Sequence, residues 1–159
     1  MDIISGKSYP ASALSNFAPH PFEYDGVEIA SMEGFLQGLK FSNPDMQAHI
    51  CTLVGRAAKK RGAGKNWQRT GKLYWMECQI DRFSPEYQLL LDRVFETLLS
   101  QNVSAQNALL ATGSAVLKHS IGKKNMKETV LTRSEFCTRL TALRQRFMFA
   151  HIPRTSVET

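Results

Sequence analysis

Apolar residues recur at helical spacing along most of this chain and alternate in one short stretch. The alternation, Phe22-Glu23-Tyr24-Asp25-Gly26-Val27-Glu28-Ile29, predicts a β-hairpin turning on Asp25-Gly26. Pro19 and Pro21 bracket His20 and hold the approach to it extended. A helix is predicted from 32 to about 41, stopping near Ser42-Asn43-Pro44, followed by helices over 45–53 and about 54–61. Residues 66–80 carry two Trp and a Tyr among polar positions and fit neither period. After the cap-like Ser84-Pro85, the series Tyr87, Leu90, Leu91, Val94, Phe95 and Leu98 has clean helical spacing and reads as core. A shorter helix over 104–111 stops at Thr112-Gly113. In the last helix Thr132 and Glu135 form a capping box with Leu131 and Phe136 as hydrophobic staple, and Phe136, Leu140, Leu143 and Phe147 face the core. The tail from about His151 reads as a flexible segment. High helix content and few strands predict a mainly α fold with a small β element (α+β), one domain over 1–150 with 151–159 as its tail.

The stretch Ser31-Met-Glu33-Gly-Phe-Leu-Gln37-Gly-Leu-Lys40-Phe41 is the most informative. At 100° per residue, Glu33, Gln37 and Lys40 fall within an arc of about 60°. Met32, Phe35, Leu36 and Leu39 make an apolar stripe beside them, and Gly34 and Gly38 leave a third face bare. A carboxylate, an amide and an amine thus share the edge of a buried face, beside a strip smooth enough for close approach. This pattern fits an active-site helix. It also fits ordinary helix chemistry, with Ser31 as N-cap and Glu33 and Lys40 complementing the helix dipole.

Composition narrows the class. At 159 residues the chain can bury a core without staples. No segment reaches the roughly 18 apolar residues of a membrane span, and the first residues lack a signal-peptide pattern, so a soluble cytoplasmic protein without membrane partners is expected. Cys51, Cys78 and Cys137, odd in number and widely spaced, read as reduced core thiols. The net charge of +6 is concentrated in two acid-free stretches. Met46 to Met76 carries Arg56, Lys59, Lys60, Arg61, Lys65, Arg69 and Lys72; Thr97 to Lys127 carries Lys118, Lys123, Lys124 and Lys127. Such bias favours phosphate-bearing partners, nucleic acid among them, and is equally that of a solvated basic surface.

Several familiar sites are excluded. Gly62-Ala-Gly64-Lys65 lacks the spacing of a P-loop, no GxGxxG follows a strand, and neither HExxH nor GxSxG occurs. His20, His49, His119 and His151 are too scattered for a metal set, and no cofactor is indicated.

Four segments remain distinctive: Leu14-Ser15-Asn16-Phe17, the Ser31–Phe41 helix, Lys65-Asn66-Trp67 and Leu109-Leu110-Ala111-Thr112-Gly113. Together, in order and approximate spacing across residues 14–146, they resemble the NADAR family of YbiA-like N-glycosidases, associated with NAD and ADP-ribose metabolism. The resemblance implies a single-domain YbiA-like fold. It implies hydrolysis of an N-glycosidic bond, in guanine-linked ADP-ribose of a nucleic acid or nucleotide, or in a phosphoribosylamino compound of riboflavin synthesis. Such substrates carry phosphate, which gives the basic stretches a use, and an aromatic base against which Phe17 or Trp67 can stack. Phe41 reads as core.

Cleavage of such a bond develops positive charge at ribose C1 and negative charge on the leaving nitrogen. Glu33 is suited to stabilise the cationic sugar or hold the attacking water. Lys40 is suited either to attack C1 of an opened sugar, if burial lowers its pKa, or to bind phosphate. Gln37 and Asn16 would hydrogen-bond ribose or base edges, and Thr112 and Gly113 suit a tight loop around ribose or phosphate. One departure matters. Many relatives carry an acidic residue and then a D..WG motif after LLxTG; here the stretch is Leu117-Lys118-His119-Ser120-Ile121-Gly122-Lys123-Lys124-Asn125-Met126. His119 stands near the acidic position, where an imidazole can act as general acid toward the leaving base, and Ser120 and Lys123 join the substrate-binding candidates. Glu128 is the nearest carboxylate that can substitute. The same departure fits a non-catalytic module that binds ADP-ribose or nucleic acid.

Overall fold

The computed structural model describes residues 1–150. The order of elements is α1 (Ala11–Leu14), β1 (Phe22–Tyr24), β2 (Val27–Ile29), α2 (Met32–Gly38), α3 (Pro44–Cys51), α4 (Gly55–Gly62), a 3-10 turn (Trp67–Arg69), β3 (Lys72–Trp75), β4 (Cys78–Asp81), α5 (Pro85–Gln101), α6 (Val103–Ala111) and α7 (Arg133–Ala150). Among the described residues, seven helices and two antiparallel two-stranded sheets make a mainly α fold with a small β element. The tail from His151 lies outside the described residues.

The central element is α2, buried along its whole length. Ser31 caps it, its Oγ accepting from Gly34 N at 3.0 Å and donating to the Leu53 carbonyl at 2.9 Å. The helix ends at Gly38, earlier than its pattern predicts, and Lys40 and Phe41 follow in tight turns whose N–H groups reach Gln37 and Gly38. Its three faces separate as the spacing requires. Met32, Phe35, Leu36 and Leu39 enter the core. The glycine face serves packing rather than a ligand: a Cβ at Gly34 would lie 2.6 Å from the Leu53 carbonyl oxygen, and one at Gly38 3.1 Å from Cys51 Sγ. The end of α3 therefore presses directly on the α2 backbone, and its Cys51 carbonyl accepts from Ala30 N at 2.8 Å.

Asp25 and Gly26 both take positive φ, the turn that matches strand twist. The β3–β4 hairpin turns on Met76 and Glu77, also at positive φ but without the residues that announce such a turn, which left 66–80 illegible. Gln47, buried in α3, holds it by accepting from Met76 N at 2.9 Å and donating to the Tyr74 carbonyl at 2.7 Å. Trp75 Nε1 donates to Asp25 Oδ2 at 2.8 Å and joins the two hairpins.

On the far side, α5 and α7 supply the core stripes that the periodicity predicts, with Phe147 only partly buried. The capping box forms: Glu135 N reaches Thr132 Oγ1 at 3.1 Å and Thr132 N reaches Glu135 Oε1 at 2.8 Å. The same carboxylate takes a bidentate bond from fully buried Arg82, at 3.1 and 2.6 Å. Arg82 Nε then donates to the Thr129 carbonyl at 3.0 Å, and Tyr87 Oη to the Val130 carbonyl. A buried charge is tolerable only when paired and hydrogen-bonded in this way. The network fixes residues 129–131, which form one wall of the site. Of the three cysteines, Cys51 is buried and Cys137 half-buried, but Cys78 is exposed on β4 and is not a core thiol.

Candidate functional site

A cavity of about 320 Å³ opens beside the polar edge of α2. Glu33, Gln37 and Lys40 line it from that helix, and Asn16 and Phe17 from the segment that precedes β1. Trp67 closes another side, while His119 and Lys123 come from the irregular stretch between α6 and α7. Eight of the eleven residues singled out from the sequence thus share one wall system. The other three do not line it. Thr112 is buried and ties α6 to α7: its Oγ1 donates to the Leu109 carbonyl at 2.6 Å and accepts from Arg144 Nη1 at 2.8 Å. Gly113 turns the chain out of α6 at φ +59°. Ser120 spends its N–H and hydroxyl on the Asp2 carboxylate. The expected ribose or phosphate loop at Thr112-Gly113 is therefore a helix terminus, because the buried Arg144 guanidinium claims the Thr112 hydroxyl.

The electrostatics follow from burial. Burial pushes the Glu33 carboxyl above its ordinary value, against the opposing pull of the Gln37 hydrogen bond and the charges of Lys59, Lys40 and His119. Gln37 Nε2 donates to Glu33 Oε1 at 2.8 Å. Burial lowers the Lys40 ammonium, with Lys123 and Lys59 adding repulsion and Glu33 opposing. A carboxyl held up and an amine held down in one cavity are the shifts that acid–base and nucleophilic chemistry use. Lys40, Lys59 and Lys123 all line the cavity, and none forms an ion pair among the described residues.

Among the lining residues that the sequence did not mark as site residues are Lys59, Ser5 and Gln68. Lys59 stood out only as one cation in a run; on α4 it reaches the cavity and lies 5.9 Å above the Phe17 ring. Glu128, which the sequence could not place, lines the same cavity. Phe41 lies outside it, buried, with the Lys65 ammonium 4.7 Å over its ring. Among the described residues no three His, Cys, Asp or Glu side chains are placed to share a metal ion, and no helix is long and apolar enough to cross a membrane.

The sequence profile of the bacteriophage protein GP30.3 family matches residues 8–145, which takes in every cavity residue except Ser5. The chain belongs to the GP30.3 family. It is 38% identical over 148 residues, 91% of its length and 96% of the other's, to an uncharacterised 17.1 kDa protein of enterobacteria phage T4 from the Gp30–rIII intergenic region. Its fold is similar to the NMR structure of the E. coli protein YbiA, with a TM-score of 0.63 over the whole chain and 94% of that protein, at 16% identity. At that identity the likeness speaks for the fold. In this GP30.3-family chain the YbiA-like fold places α2 at the centre and leaves its polar edge open to the cavity.

Proposed function

We propose that this GP30.3-family protein is a NADAR-like N-glycosidase acting on an ADP-ribosylated base or a phosphoribosylamino compound. The observation that carries the reading is the burial of Glu33 in one cavity with Lys40, two further unpaired lysines and the indole of Trp67. A 320 Å³ cavity is at the small end of ligand sites, about 300–1,000 Å³, and suits a base–ribose unit with phosphate toward the rim. The three ammonium groups suit that phosphate, and Trp67 and Phe17 supply faces for an aromatic base.

In the reaction the bond between ribose C1 and the base nitrogen breaks, and its electron pair leaves with the nitrogen. A water oxygen bonds to C1. The Glu33 carboxylate stabilises the cationic sugar and takes the proton of the attacking water, and His119 delivers a proton to the leaving nitrogen. Lys40, its amine made more available by burial, offers an alternative. It adds to C1 of the ring-opened sugar and expels the base, whose nitrogen takes up a proton as it leaves, to form an imine that water then hydrolyses to free the sugar and the amine. The two acid-free basic stretches reach the cavity from two sides through Lys59 and Lys123, which favours a substrate carried on a nucleic acid over a small free one.

The test is a mass-spectrometric assay with guanine-ADP-ribosylated oligonucleotide, the corresponding free nucleotide and a phosphoribosylamine. Release of ADP-ribose or ribose phosphate supports the reading. Binding of ADP-ribose without product from any substrate replaces it with a non-catalytic binding module.

A further inference from the structure

The amino-terminal segment is part of the cavity's construction. Asp2 pairs with Lys118 in a parallel bridge, and Ile3 N donates to the Lys118 carbonyl at 2.8 Å. Two further contacts follow on either side of that bond. His119 Nδ1 lies 2.7 Å from the Ile3 carbonyl oxygen. The Asp2 carboxylate takes Ser120 N–H at 2.9 Å on one oxygen and the Ser120 hydroxyl on the other. A carbonyl oxygen has no proton to give, so Nδ1 carries the hydrogen, and the neutral imidazole keeps Nε2 bare.

The ring has little freedom. Phe136 meets it edge-on, with centroids 5.1 Å apart and planes at 81°. A Cβ at Gly122 would fall 2.4 Å from His119 Cδ2, so the chain turns back tightly over the imidazole. Asp2 from the amino-terminal segment and Glu33 from α2 interact with it electrostatically, Lys40, Lys59, Lys123 and Glu128 share its cavity, and Arg133 at the start of α7 packs against the same Gly122 turn. Arg133 donates to the Gly122 and Ser120 carbonyls and closes the far end of this turn.

We propose that Asp2 is a positioning residue: by holding Ser120 through both carboxylate oxygens it fixes the 118–120 backbone, so that the Ile3 carbonyl locks His119 as the Nδ1–H tautomer with Nε2 as its free nitrogen. Ser120 is then an anchor and not a substrate ligand. What Nε2 does rests on the glycosidase reading; the locking itself does not. A neutral Nε2 accepts a proton and, once charged, returns it to a leaving nitrogen, which is the cycle that reading needs.

The experiment is NMR of the whole protein with 15N-labelled histidine, beside Asp2→Ala, Asp2→Asn and Ser120→Ala. The wild type shows His119 protonated at Nδ1 in its neutral form, with a slowly exchanging Nδ1–H. Asp2→Ala exchanges it about tenfold faster or more, as loss of hydrogen bonds to a charged group implies. Asp2→Asn, whose amide still serves both Ser120 groups, keeps the wild-type pattern, and Ser120→Ala, with half the anchor, falls between. An unchanged tautomer and exchange rate in both alanine variants overturns the proposal, as does an Nε2–H tautomer in the wild type. If hydrolysis is found, Asp2→Ala lowers kcat with KM nearly unchanged. If none is found in the wild type, the glycosidase reading fails while the tautomer still decides the role of Asp2.

Discussion

Gln37 Nε2 donates to Glu33 Oε1 at 2.8 Å, while the oxygen of the same amide rests against Gly62 with no donor in reach. Turned over, the amide would set its oxygen against the carboxylate, so the bond to Glu33 decides the orientation and the unpaired oxygen is its cost. The pair is one helical turn apart on α2, where such side chains meet. Gly62 allows the arrangement by having no Cβ: one placed there would lie 1.7 Å from Gln37 Oε1.

Gly62→Ala should therefore displace Gln37 and strip Glu33 of its donor. We expect kcat to fall about tenfold, as for a catalytic group pushed from its geometry, and stability to drop by about 1–3 kcal/mol from overpacking. A pH–rate profile and a urea melt check both. Normal activity with intact stability would show that Gln37 does not support the carboxylate.

Glu33→Gln should lose activity and gain stability together. Burial raises the Glu33 pKa on folding. Its stabilising contribution is thus full below the ordinary carboxylate range and is lost as pH rises through the raised value. At neutral pH the ionised group burdens the fold, and the amide keeps the Gln37 bond without the charge. Thermal melts at pH 7 and pH 4 should show the variant more stable at the first and level with wild type at the second.

Lys59→Met should move the acid limb of the activity profile to higher pH. The Lys59 charge pulls the Glu33 carboxyl down, so its removal lets burial act further. A limb that stays in place would separate the two groups electrostatically.

The wall at 129–131 depends on a buried ion pair. Arg82→Ala leaves the buried Glu135 carboxylate without its counter-charge, held only by the Thr132 N–H and the Gln88 amide, and should cost about 3–5 kcal/mol in a denaturant melt. The double change Arg82→Met with Glu135→Leu should recover most of that, since no charge is then stranded.

A nucleic-acid substrate implies phosphate contacts outside the cavity. Lys60 and Arg61 continue the exposed basic run of α4 beyond Lys59. Affinity for a single-stranded oligonucleotide should fall with salt, at a slope of about −0.7 per phosphate neutralised. Lys60→Glu with Arg61→Glu should flatten that slope and leave turnover of the free nucleotide unchanged. Salt-independent affinity would confine the ligand to the cavity.

Much of this architecture is legible in the sequence because its signals are local. The three faces of α2, the Asp25-Gly26 turn, the stripe of α5 and the Thr132–Glu135 box each follow from spacing within one element. What stayed hidden depends on distant partners. Arg82 sits among polar residues with no periodicity to mark it, and only the fold supplies Glu135. Lys59 looks like its neighbours until α4 packs across α2. Gly34 and Gly38 read as a strip open to close approach, but a bare helix face does not say what covers it, and here α3 does. Asp2 and Ser5 lie in a segment with no pattern, drawn to the site by its bonds to the distant stretch 118–120.

On the proposed function, Glu33 does chemistry on a glycosidic bond in this cavity. Product release from guanine-ADP-ribosylated oligonucleotide, followed by mass spectrometry at equal concentrations of wild type and Glu33→Gln, tests it most directly. The wild type should release product, and the variant at a rate lower by about 10²–10⁴-fold, the usual range for losing a general acid–base group. Equal rates from the two proteins would contradict it.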